Sequence, residues 1–69
     1  MKPITAAKLI RILKHNGFVL ARQRGSHAIW KNAAGIMVPV PLHGKSKPIH
    51  IGTLKAIIKQ SKILPNEFR

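Results

Sequence analysis

The sequence contains no cysteine, no tyrosine and no aspartate, and its one acid is Glu67. Each absence closes off chemistry. Without thiols there is neither a disulfide nor a thiolate zinc site to staple the chain. One carboxylate cannot form the acid–base pair of a glycosidase-type reaction, nor grip two magnesium ions during phosphoryl transfer. A cysteine nucleophile and a Ser-His-Asp triad are equally excluded. No apolar run approaches the length of a transmembrane helix. What is left to do chemistry is His15, His27, His43 and His50, the hydroxyls, and the cations themselves. The histidine spacings match no recognisable ligand set, so no metal or other cofactor is expected.

Against these absences stands an excess of cations. Thirteen Lys and Arg in 69 residues give a formal charge of +12. Hydrophobic residues make up 45% of the chain, which favours a packed domain over a solvated polycation. The length suits one domain, residues 1–69, near the size at which a single core is barely adequate. Like charges at this density repel, so the expected partner is a polyanion: nucleic acid first, an acidic protein second, an anionic membrane third. The basic, amphipathic opening superficially suits a transit peptide. Lys8 and Arg11 nevertheless interrupt any signal-type apolar core, and the segment runs directly into a strand pattern. A cytoplasmic location is the expectation.

The periodicity predicts an α+β order, α-β-β-β-α. Thr5 reads as an N-cap, followed by Ala6, Leu9, Ile10 and Leu13 at helical spacing and stopped by Asn16-Gly17. Lys8, Arg11 and His15 fall opposite that stripe. Ile12 lies beside the basic face, either as a tolerated surface residue or as a partner contact. A first strand is expected from Phe18 to Gln23, a tight reversal at Arg24-Gly25-Ser26, and a second strand from His27 to Lys31. After a loop at 32–35 the third strand, Ile36 to Leu42, alternates with Ile36, Val38, Val40 and Leu42 on one face. Pro39 and Pro41 lack N–H groups on the same side of that strand, which fits only a sheet edge. A basic loop from His43 to Gly52 follows, and Thr53 is read as capping a second helix with core residues Leu54, Ile57 and Ile58. Lys55, Lys59 and Lys62 line its other face. Pro65 ends regular structure or opens a last turn, with Phe68 folding back on the core. The sum is a three-stranded antiparallel sheet with both helices on one face.

Four fragments in order carry a resemblance: Asn16-Gly17-Phe18, Arg22-Gln-Arg-Gly-Ser-His27, Val38-Pro-Val-Pro-Leu-His-Gly44 and Gly52-Thr-Leu54. Together they cover nearly the whole chain, which resembles the HicA family of bacterial mRNA interferase toxins. The resemblance implies a double-stranded-RNA-binding-domain-like fold, cleavage of mRNA that arrests translation and growth, and a HicB-type antitoxin, expected to be acidic. The family's catalytic histidine stands in a Gly-Ser-His motif, which places that role on His27. The Lys47-Pro-Ile-His50 stretch departs from the family, which typically carries a more charged segment with an acid there.

RNA cleavage without metal uses the substrate's own 2′-hydroxyl as nucleophile. Something must take that proton, protonate the leaving 5′-oxygen and offset charge on phosphorus. Imidazole, with an unperturbed pKa of about 6.5, serves as acid or base near neutrality, and fixed cations supply the electrostatic part. On residue type alone His27 is an ordinary surface histidine as readily as a catalyst; the resemblance favours catalysis. With no carboxylate available, backbone or Ser26 must orient its ring. His43 is a second candidate for proton transfer, or a residue that shapes the loop through Gly44. Helix-end placement accounts for His15, and His50 reads as a solvated loop residue or an RNA contact. Arg22, Arg24, Lys31, Lys45, Lys47, Lys55 and Lys59 are the expected phosphate contacts. Trp30 either stacks a base or packs in the core. A non-catalytic RNA-binding module with the same fold is the alternative function. A membrane-surface peptide is a third reading, disfavoured by the Gly- and Pro-punctuated strands.

Overall fold

The ten residues after Thr5 put apolar side chains on one side of a helical wheel, and a helix forms there. A computed structural model describes residues 3–42 and 47–68. Its elements run α1 (Ala6–His15), β1 (Val19–Arg24), β2 (His27–Lys31), β3 (Met37–Pro41) and α2 (Ile51–Ser61), with a closing 3-10 turn at Pro65–Phe68. Thr5 caps α1 as expected, its Oγ1 accepting the Lys8 N–H at 3.2 Å. At the other end Gly17 takes a φ of +84°. That left-handed turn lets the Phe18 N–H reach back to the Leu13 carbonyl at 2.9 Å, the closure that favours glycine after a helix. Phe18 therefore leaves the sheet for the core, and β1 begins one residue later than the pattern implies.

The three strands form one antiparallel sheet in the order β1-β2-β3. Ala28 and Trp30 of β2 and Val38 and Val40 of β3 are buried on one face. Both helices lie on that face: Leu9 and Leu13 of α1 and Leu54, Ile57 and Ile58 of α2 complete the core with Ile4, Phe18, Ile49 and Phe68. Each fully buried side chain of this size contributes about 1.5–3 kcal/mol of transfer free energy. None of the helices among the described residues lies on the opposite face of the sheet. Phe68 does fold back on the core, brought there by the 3-10 turn.

Pro39 and Pro41 sit where the edge-strand argument requires. The Leu42 N–H donates to the Ser26 carbonyl at 2.6 Å and the Asn32 N–H to the Ile36 carbonyl at 3.1 Å. These bonds set even-numbered residues of β3 in hydrogen-bonded pairs with β2. The odd positions, prolines included, face outward from the ladder.

The start of α2 corrects the sequence reading. Thr53 lies inside the first turn, and the cap is His50, whose Nδ1 accepts the Gly52 N–H at 3.2 Å. The cause is tertiary. Ile49 is buried, its N–H donating to the Ile4 carbonyl at 2.8 Å, and Pro48 bridges to Thr5. Residues 47–50 are thereby tied to the entry of α1 rather than looping freely, and the helix begins directly after the tie. The Leu54 N–H then completes the first helical bond to the His50 carbonyl at 2.9 Å.

Candidate functional site

Strand β1 decides what the uncovered sheet face presents. Val19 pairs with Lys31 and Leu20 with Trp30, but Arg22 pairs with Ile29 and Arg24 with His27. Ala21 is an extra residue, a β-bulge. Directly opposed residues share a face, and side chains alternate along a strand. In a regular strand Leu20, Arg22 and Arg24 would all point the same way. The bulge breaks that parity. Leu20 stays on the side of Trp30, while Arg22 and Arg24 turn to the uncovered side with His27 and Lys31. Four of the sequence-predicted site residues thus meet on one exposed surface. Sequence proximity suggests a cluster near the turn; only the bulge puts its members on a common face.

His27 opens the central strand, with Arg24 opposite on one side and Pro41 on the other. The preceding turn is made by Gly25, at a φ of +56°, and by Ser26. Ser26 is half-buried, and its carbonyl anchors the turn to the end of β3 through the Leu42 N–H. His27 is exposed and lines a groove of about 420 Å³ along the β3 edge. Pro39 and Pro41 form one wall; Lys47, His50 and Thr53 form the other. None of the described residues lining this groove is acidic. It offers an imidazole, a fixed cation, a second imidazole and a hydroxyl to whatever enters.

The remaining predicted residues lie elsewhere. Lys55 and Lys59 are exposed on α2 and border a different groove with Lys62 and Ile63. A third surface, on α1, gathers Lys8, Arg11, Lys14 and His15 around half-buried Ile12, with Glu67 at its margin. The structure therefore splits the expected cationic set, keeping Arg22, Arg24 and Lys31 on the sheet face and Lys47 in the adjoining groove. His43 and Lys45 lie outside the described residues.

Trp30 is a core residue rather than an open stacking platform. It is 6% exposed on the covered face, with the Lys14 ammonium 5.8 Å from its ring centroid, within cation–π range. Its Nε1 is buried with no hydrogen-bond partner among the described residues. What sequence reasoning missed is that His50 caps α2. Capping rules favour Ser, Thr, Asp and Asn, and the signal that points to His50 is the packing of Ile49 against Ile4, a long-range contact. Among the described residues no three of His, Cys, Asp or Glu gather closely enough to hold a metal ion.

Residues 6–63, from the first residue of α1 to just beyond α2, match the family model described as the HicA toxin of bacterial toxin–antitoxin systems. No curated protein matches the chain.

Proposed function

The chain belongs to the HicA family of toxins from bacterial toxin–antitoxin systems, and from that membership we propose that it is an mRNA interferase, a metal-independent endoribonuclease whose catalytic residue is His27. The observation that carries this reading is the company His27 keeps. It is exposed and lines a groove with no acid among its described lining residues, and it shares the uncovered sheet face with Arg22, Arg24 and Lys31.

The RNA backbone lies along that face, its phosphates met by the three sheet cations and by Lys47. His27 takes the proton of a 2′-hydroxyl. The 2′-oxygen bonds to the adjacent phosphorus, the bond from phosphorus to the 5′-oxygen breaks, that oxygen takes a proton from solvent water, and a 2′,3′-cyclic phosphate and a 5′-hydroxyl end result. The cations offset the negative charge that grows on the phosphoryl oxygens. Cleavage of mRNA stops translation and growth, and a HicB-type antitoxin, acidic to complement the +12 charge, neutralises the toxin.

Expression of the wild type and of His27→Ala in a bacterium, scored for growth and RNA integrity, tests the assignment. The wild type is expected to arrest growth and fragment mRNA. The variant, folded by circular dichroism, should lose about 10²–10⁴-fold in cleavage, the range that general acid–base groups supply. Undiminished cleavage by the variant removes His27 from the mechanism. Salt-sensitive RNA binding by a wild type that yields no cleavage products identifies a binding module instead.

A further inference from the structure

We infer that His50 binds the scissile phosphate of the RNA, as a neutral hydrogen-bond donor and not as a proton-transfer group; this rests on the endoribonuclease reading above. A backbone N–H can only donate, so the 3.2 Å contact from the Gly52 N–H makes His50 Nδ1 an acceptor. A nitrogen that accepts carries no proton, and the ring is then the neutral tautomer with its hydrogen on Nε2. While that cap bond is made, the ring is held at the start of α2 with Nε2 as its donor.

In imidazole the Nε2–H points at a wide angle from the Nδ1 lone pair, so the donor is not the atom engaged by the Gly52 N–H. His50 is exposed and lines the same groove as His27, Lys47 and Thr53. The groove's single described cation and its histidines face no carboxylate within the lining; Glu67 borders a different surface, on α1. A group entering here meets apolar surface from Ala6, Pro39, Pro41, Pro48 and Ile49 and, among the polar lining residues, donors and no carboxylate, which suits a phosphodiester oxygen. A neutral imidazole tied through its other nitrogen to the start of a helix is a device for donating a hydrogen bond without surrendering a proton. His50 is fitted to grip a non-bridging oxygen while His27 handles the 2′-hydroxyl proton. The tie from Ile49 to Ile4 and from Pro48 to Thr5 holds that donor on the core, as a preorganised site requires.

The test separates capping from phosphate binding. Serine and aspartate are both strong N-caps, so His50→Ser and His50→Asp keep the start of α2 and remove the imidazole N–H; serine leaves a short hydroxyl in its place, aspartate no donor at all. Aspartate also sets a negative charge where the phosphate would lie. Cleavage is followed on an oligoribonucleotide spanning a position mapped with the wild-type protein, with thermal melting of each variant alongside. His50→Ser is expected to lose about 10²–10³-fold in kcat, the usual cost of removing one such donor, with an unchanged melting temperature. His50→Asp is expected to melt at or above the wild-type temperature and to cleave more slowly still. A merely structural cap predicts that activity follows stability, and a His50→Asp variant that is stable and cleaves at the wild-type rate overturns the inference. A non-bridging phosphorothioate gives an independent readout. One diastereomer should slow the wild type and have little further effect on His50→Ser, since the interaction it weakens is already gone; an equal effect on both proteins also overturns the inference. Loss of cleavage in His27→Ala with none in His50→Ser removes only the His50 role. A wild type that does not cleave removes the endoribonuclease reading and this one together.

Discussion

The two edges of the sheet are protected against stray strand pairing in opposite ways. On β1 every residue is exposed, Val19 at 64% and Leu20 at 49%, and the strand is bulged and carries two arginines. Charge and a local twist discourage another chain from adding there. On β3 the protection is the absence of donors, because Pro39 and Pro41 occupy the positions whose N–H groups would face outward. Those prolines also form a wall, and the segment at 47–53 forms the wall opposite. The difference is instructive. An edge guarded by charge is a surface for phosphates, whereas an edge guarded by proline can border a groove without inviting a strand into it. His27 stands on the strand between the two and belongs to both.

The comparison makes β3 part of the scaffold and β1 an appendage, and truncations measure that most strongly. Val40 is fully buried, so Val40→Ala should cost about 2 kcal/mol or somewhat more, lost methyl transfer plus a residual cavity. Val19→Ala should stay within about 0.5 kcal/mol, as exposed substitutions do. Urea titration of both reads the contrast, and equal losses would break it. A smaller effect separates the bulge from its neighbours. The turn holds Arg24 opposite His27, so deleting Ala21 should leave every side chain on its present face and RNA affinity within a few-fold of wild type. Deleting Gln23 moves Arg22 opposite Ala28, onto the covered side. That variant should bind RNA more weakly, with the slope of log affinity against log salt shallower by about 0.7, the share of one phosphate contact on a single strand. Filter binding across a salt series distinguishes the two deletions, and identical slopes would show that the bulge does not set the face.

Much of this architecture was legible in the residues. Thr5 and Asn16-Gly17 bound α1 because capping chemistry is local. The limits of β2 follow from the Gly25 turn and the loop after Lys31, and the two prolines of β3 announce an edge because a missing N–H means the same thing in any fold. The bulge at Ala21 was not legible. Nothing in Val-Leu-Ala-Arg-Gln-Arg says where an extra residue is absorbed, since pairing with β2 decides it. The helix start at Ile51 was hidden for a similar reason: Thr53 is the better local cap, and it loses to a contact between Ile49 and Ile4, 45 residues apart by their numbers. The same blindness applies to the candidate site. Arg22, Arg24, His27 and Lys31 are close in sequence and could be grouped. His50 joins them only through the fold.

Trp30 is the chain's one tryptophan, and its burial beneath α1 makes it a built-in optical probe with a directional view. Its emission should be blue-shifted and shielded from iodide, because the indole looks into the helix layer and away from the uncovered sheet face. Ligands settling beside His27 and the sheet arginines lie on its blind side. A spectral change on adding RNA would therefore signal that the helices had shifted on the sheet, and silence would be the signature of a rigid platform.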